Sequence, residues 1–170
     1  GAADVVEIRS DNNPVVVLEH KLLYGGASPG GKAQTAVDSL GAAYRPAPDE
    51  EYLVPLGRAE IKRPGKDLTV VATGLMVHKA LAAAAELERD GISLEVLDPR
   101  TLAPLDREAI LDSVARTGRA VIASEDVATC GFGAEVAALL ADRGLFHLLA
   151  PVRRGCVPDT PIPFAPALEQ

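Results

Sequence analysis

The chain has 170 residues, 48% of them hydrophobic and 24% charged, with 17 basic against 24 acidic side chains and a net charge of −7. That length suits one domain, or a domain plus a fragment, and buries roughly 70% of its unfolded surface with no disulfide or metal staple. The acidic balance argues against a nucleic-acid face, which draws affinity from phosphate neutralisation, and no apolar run approaches the ~20 residues of a membrane span.

Two cysteines, Cys130 and Cys156, are too few for a disulfide framework, and both are expected to be reduced. Aromatic residues make up only 4% and Trp is absent, so the core must be aliphatic. Residues 1–4 have neither the basic flank nor the apolar core of a signal peptide. These features point to a soluble intracellular protein, and the missing initiator methionine to a processed chain or a fragment.

Residues 5–9 read as the end of a helix, closed by the turn-forming cluster Ser10-Asp11-Asn12-Asn13-Pro14. Pro14-Val-Val-Val-Leu18 is a continuous apolar run rich in β-branched residues, which predicts a strand buried on both faces. Glu19, His20 and Lys21 follow at its carboxyl end, where a general acid or base is readily placed. One helix end and one strand make no domain, so residues 1–24 read as the remnant of one. Residues 25–51, with Gly25-Gly26, Ser28-Pro29-Gly30-Gly31 and Pro46-Ala-Pro48, read as a linker or surface loop.

The compact part is expected over residues 52–170. Residues 59–63 and 68–72 flank Arg63-Pro-Gly-Lys66, a sequence suited to a type II turn, so the two runs are expected to pair antiparallel. A helix follows Thr73-Gly74, with Val77, Ala80, Leu81, Ala84 and Leu87 on one stripe and Gly91 as its left-handed cap. Residues 94–97 are a strand. Asp106 caps the next helix, which buries Ile110, Leu111 and Val114 and ends at Gly118. Residues 120–123 are a strand, Gly131-Phe-Gly133 opens a third helix with Val136, Leu139 and Leu140 inward, and residues 151–153 are the last strand. This alternation means right-handed crossovers and a doubly wound, mostly parallel α/β sheet with one antiparallel edge strand.

Such sheets bind ligands at the carboxyl ends of their strands, here Thr73-Gly74, Asp98-Pro-Arg-Thr101 and Ser124-Glu125-Asp126. Gly131-x-Gly133 reads as close helix–strand packing, with a phosphate cradle as the alternative. His78 and His147 read as structural or surface residues, and no histidine stands at metal-ligand spacing. Cys130 reads as an ordinary thiol, because Glu125 and Asp126 oppose its activation.

Six motifs in order resemble one family: Asn13-Pro-Val-Val-Val-Leu-Glu-His-Lys-Leu-Leu-Tyr-Gly25, Pro55-Leu-Gly-Arg-Ala59, Gly74-Leu-Met-Val-His-Lys-Ala80, Asp98-Pro-Arg-Thr-Leu-Ala-Pro-Leu-Asp106, Gly131-Phe-Gly-Ala-Glu-Val136 and Pro158-Asp-Thr-Pro-Ile-Pro-Phe164. The family is the β subunit of the thiamine-dependent decarboxylating component of 2-oxo-acid dehydrogenases, a subunit type shared by pyruvate, branched-chain 2-oxo-acid and acetoin dehydrogenases. The resemblance implies a pyrimidine-binding-domain remnant followed by a transketolase C-terminal-like domain. It implies thiamine diphosphate with magnesium in the complete enzyme, but no catalytic, cofactor or metal residue within this segment. Glu19, His20 and Lys21 are implied only to lie near the active site.

The implied partners are an α subunit, a second β subunit and a dihydrolipoyl acyltransferase, with no nucleic acid and no membrane. The implied location is the cytoplasm, or the mitochondrial matrix in a eukaryote. The apolar tail residues Ile162, Pro163, Phe164, Pro166 and Leu168 are the expected oligomer interface. Val127, Cys130, Leu149 and Gly155-Cys156-Val157 depart from the family pattern, and Leu149 lies near where relatives dock the acyltransferase. Another transketolase-group thiamine enzyme, a non-catalytic interaction module and a nucleotide-binding domain stand as alternatives.

Overall fold

The computed structural model describes residues 14–20, 23 and 54–161. Within them lies a five-stranded sheet in the order β1-β3-β2-β4-β5, formed by β1 (Glu60–Arg63), β2 (Leu68–Ala72), β3 (Leu94–Asp98), β4 (Ala120–Val127) and β5 (Arg153–Val157). β2, β3, β4 and β5 are mutually parallel, and β1 lies antiparallel to β3 at one edge. Three helices make the crossovers: α1 (Leu75–Leu87), α2 (Arg107–Thr117) and α3 (Phe132–Arg143). The expected doubly wound fold with one antiparallel edge strand is therefore the observed one.

Strand alternation explains the two layers. Val70 and Ala72 of β2, with Leu94 and Val96 of β3, meet Val77, Ala80 and Ala84 of α1 on one face. Val71, Leu97 and Ile122 turn to the other face, against Ile110, Leu111 and Val114 of α2 and Val136, Leu139 and Leu140 of α3. The crossover from β2 to β3 runs one way along the sheet and that from β3 to β4 runs back, which places α1 and α2 on opposite faces. The small side chains of Ala80 and Ala84 let α1 sit close to the sheet.

The helix boundaries follow their caps. Gly91 at φ 78° and Gly118 at φ 70° take the left-handed conformation past the ends of the first two helical segments. The Asp106 carboxylate accepts the backbone N–H of Ala109, so α2 starts where the capping residue placed it.

Beneath α2 lies a buried polar chain. Ser113 Oγ donates to Glu95 Oε1 at 2.5 Å, and Arg116 Nη2 donates to the same oxygen at 2.7 Å. Ser113 has one hydroxyl hydrogen and Glu95 takes it, so Thr69 Oγ1, 2.7 Å away, donates to Ser113. Thr117 Oγ1 closes the chain at 2.7 Å from Thr69 Oγ1. Every buried side-chain nitrogen or oxygen among the described residues has a partner.

Three expectations need correction, the first being the last strand, which spans Arg153–Val157 rather than residues 151–153. β1 and β2 do not form a hairpin, because β3 lies between them. The Pro64–Asp67 link crosses the amino end of β3: Lys66 and Asp67 donate to the Ser93 carbonyl, and Gly65 donates to Glu95 Oε2 at 3.3 Å. A Cβ at residue 65 would collide with the Leu94–Glu95 backbone, so glycine here serves close passage over a strand rather than a type II turn. Residues 14–18 are likewise not a buried strand. They carry no strand pairing, and Val16 and Leu18 are 84% and 77% exposed. A β-rich sequence needs a neighbouring strand to become sheet, and the described residues offer none. The predicted helix end at 5–9 and the loop at 25–51 lie outside the described residues.

Candidate functional site

The crossovers leaving β2 and β4 run in opposite directions, so the carboxyl ends of these neighbouring strands flank the topological switch point. On the β2 side stands Gly74, at φ 55° and with nothing within 4 Å of where a Cβ would sit. On the β4 side stand Ser124, Glu125 and Asp126.

The two adjacent acids have separate tasks. Asp126 turns inward, where Ser124 Oγ donates to Oδ1 and the Gly133 backbone N–H donates to Oδ2 at 3.3 Å. Its carboxylate thereby occupies the amino end of α3, where the helix dipole favours negative charge. An external phosphate finds that position already filled by an anion, so the phosphate reading of Gly131-x-Gly133 loses its ground. Instead the glycines serve packing. A Cβ at residue 133 would lie 3.1 Å from Ser124 Oγ and 3.4 Å from Ile122 Cγ2, and one at residue 131 would strike the Asp126 carboxylate and the Val127 carbonyl.

Glu125 turns the other way and meets His20. The imidazole Nε2 lies 3.0 Å from Oε2 and 3.1 Å from Oε1. Both side chains are partly exposed, at 28% for His20 and 40% for Glu125. Leu23 N–H donates to the His20 carbonyl at 2.9 Å, turning the chain just beyond the histidine. Glu19 is exposed beside it. Lys21 and the tail residues Ile162, Pro163, Phe164, Pro166 and Leu168 lie outside the described residues.

The Asp98–Asp106 motif forms the adjoining loop. Asp98 Oδ1 accepts the Arg100 N–H at 2.9 Å, and Arg100 takes φ 60°, uncommon for a residue with a side chain. Burial pushes the Asp98 carboxyl above its usual range, against the opposing effect of the Arg100 N–H. Glu60, directly across the β1–β3 pair, is held below its usual range by the hydrogen bond from Lys62 Nζ at 2.6 Å. Thr101 Oγ1 accepts from Gly57 N–H and donates to the Pro104 carbonyl, while Asp106 Oδ2 accepts from Ala59 N–H at 2.9 Å. The Pro55–Ala59 and Asp98–Asp106 motifs are therefore one hydrogen-bonded unit.

His78 lies half-buried in the first turn of α1, and His147 is exposed in the short turn Leu145–His147. Cys130 is exposed and Cys156 half-buried, and they are not linked to each other. Among the described residues no group of His, Cys, Asp or Glu is arranged to hold a metal. Thiamine diphosphate needs a seat for its diphosphate and metal, and the described residues do not fit one: the only glycine-rich helix start they present is closed by Asp126.

Sequence reasoning placed His20 and Glu125 at strand ends but did not join them, since 105 positions separate the two. It also missed the second bond of Asp106 and the buried carboxylate of Glu95.

Residues 57–170 match the family model of the transketolase C-terminal domain. The chain is 44% identical over 157 residues to the pyruvate dehydrogenase E1 component subunit beta of Bacillus subtilis (strain 168), covering 92% of this chain and 43% of that protein. It is 39% identical over 165 residues to the acetoin:2,6-dichlorophenolindophenol oxidoreductase subunit beta of Cupriavidus necator, covering 97% of this chain and 44% of that protein. Among solved structures, a split gene transketolase described as an inactive beta4 tetramer aligns with a TM-score of 0.60 and 37% identity, over 69% of this chain and 37% of that one. The chain thus spans less than half the length of these relatives.

Proposed function

The chain belongs to the transketolase C-terminal domain family, and on that premise we propose that it is the assembly portion of a thiamine-dependent 2-oxo-acid dehydrogenase β subunit. Residues 52–170 are its C-terminal domain, residues 1–24 the edge of a pyrimidine-binding domain, and residues 25–51 the link between them. The observation that carries this reading is the 44% identity running through 92% of the chain to a pyruvate dehydrogenase β subunit.

The whole enzyme would remove carbon dioxide from a 2-oxo acid and pass the acyl group to a lipoyl group on the acyltransferase, the carbanion chemistry coming from thiamine diphosphate with its magnesium. This chain's own residues do other work. The sheet and its two helical layers hold a rigid body. The Asp98–Asp106 unit fixes one loop at the carboxyl ends, and His20 on Glu125 ties the incoming segment to another. Surfaces of this body, with the tail residues Ile162, Pro163, Phe164, Pro166 and Leu168, would meet the α subunit and a second β subunit, and the acyltransferase would dock on it. No helix among the described residues is long and apolar enough to cross a membrane, and the proposed setting is the cytoplasm, or the mitochondrial matrix in a eukaryote.

Sedimentation equilibrium at micromolar concentration, alone and with the α subunit of a pyruvate dehydrogenase, tests the reading. Self-association or α-subunit binding, weakened by Phe164→Asp, is the expected result. A monomer that ignores the α subunit overturns it. Calorimetric titration of the chain alone with thiamine diphosphate and magnesium should show no saturable micromolar binding, an affinity worth about 8 kcal/mol. A second reading, half of a split transketolase, draws on the 37% identity to the split gene protein, and transketolase activity on mixing with such a protein's other subunit would favour it.

A further inference from the structure

The switch point of a doubly wound sheet is where such folds receive ligands. Here the side of it formed by β4 is held by the protein itself. Asp126 fills the amino end of α3, and Glu125 points outward to a residue 105 positions earlier in the chain. We propose that the carboxyl end of β4 is a docking seat for the chain's own arm, residues 14–20, with Glu125 as the docking residue and His20 as its occupant.

Three observations carry the inference. Nε2 of His20 stands almost equally distant from both carboxylate oxygens, at 3.0 and 3.1 Å, a shared contact that depends on charge and acceptor capacity. Val16 and Leu18 are 84% and 77% exposed and Val17 44%, with only Val15 half-buried, so apolar burial contributes little to holding the arm there. The neighbouring acid cannot substitute, because Asp126 is engaged by Ser124 and Gly133. The seat therefore grips the end of the arm at His20 and leaves Val16, Val17 and Leu18 exposed toward a sheet in another body, coupling the position of one body to the other through this contact. This holds whichever enzyme the chain serves.

The test uses the full 170-residue chain with both native cysteines replaced by serine and nitroxide labels at V16C on the arm and D112C on the exposed side of α2. Double electron–electron resonance should give one narrow distance population. H20A and E125A should each broaden it, the docked-to-released ratio falling about fivefold, the scale of one partly exposed hydrogen bond. E125Q, which keeps an acceptor oxygen without the charge, should fall between. H20A lies on the arm and leaves the domain core untouched, so it reads the seat even if E125A impairs folding. A broad population in the parent chain, or a narrow one that neither H20A nor E125A moves, overturns the proposal.

Discussion

Replacing Asp106 with alanine removes two bonds at once. Its Oδ1 accepts from Ala109 N–H at the start of α2, and its Oδ2 accepts from Ala59 N–H just before β1. Loss of an N-cap of this kind costs about 1 kcal/mol. The Ala59 N–H, partly buried, loses its acceptor as well, for a further ~1–2 kcal/mol. Asp106→Ala should therefore cost about 2–3 kcal/mol, a fall in Tm of roughly 10 °C for a domain near 100 residues. Asp106→Asn offers one amide oxygen and should fall between alanine and the parent. Urea unfolding followed by circular dichroism measures this as a lower midpoint at constant slope. An alanine variant within about 0.5 kcal/mol of the parent would refute the idea that this carboxylate joins the two motifs.

Arg116→Ala should cost about 2 kcal/mol in the same assay, because Glu95, 3% exposed, keeps its charge but loses its cation; the discount from a fully buried pair reflects the half-exposed arginine. Glu95→Gln keeps the acceptor for Ser113 and Arg116 and gives up only the long Gly65 N–H contact, so it should cost less. Gly131→Ala should destabilise by more than ~2 kcal/mol, since the new methyl meets a backbone carbonyl and a fixed carboxylate, and Gly133→Ala by about 1 kcal/mol, since Ser124 Oγ can yield a little. For Asp98, burial raises the native carboxyl above its ordinary 3.8, so the native state binds the proton more readily than the unfolded chain. Its contribution is therefore most favourable in acid and declines as pH rises through the native value. Asp98→Asn, which keeps the acceptor for Arg100 N–H, should be more stable than the parent at neutral pH and lose that advantage in acid; an unchanged gap across the range would contradict the burial argument.

The helices and the first three parallel strands were legible in the residues because both are local, while the last strand, expected at residues 151–153, begins at Arg153. The stripe of Val77, Ala80 and Ala84, the cap at Asp106 and the glycines at 91 and 118 each state their element within a few positions. What could not be read was pairing across distance. Arg63-Pro-Gly-Lys66 has the composition of a tight turn, yet the same glycine also permits passage over a strand, and only the position of β3 decides between them. Pro14-Val-Val-Val-Leu18 has the composition of a strand, but sheet needs a partner that composition does not supply. Glu95 sits inside an apolar run and looks out of place until Ser113 and Arg116, 18 and 21 residues later, come beneath it. The candidate site divides in the same way: each half of the His20–Glu125 contact was placed at a strand end, and the contact itself was not foreseen.

Among the described residues, the sheet's two outermost strands bear on how this body can enlarge. β1 is four residues long, its register breaks between Ile61 and Arg63, and its Glu60 and Lys62 carry charge. β5 presents exposed Arg153 and Arg154 between Pro151 and Pro158. A foreign strand approaching either border meets charge, a bulge or a proline rather than a flat row of amide groups, the arrangement by which folded proteins resist edge-to-edge aggregation. Growth by strand addition is thus discouraged on both sides, and association is directed to helical faces, loops and the arm, where side chains rather than main chain choose the neighbour.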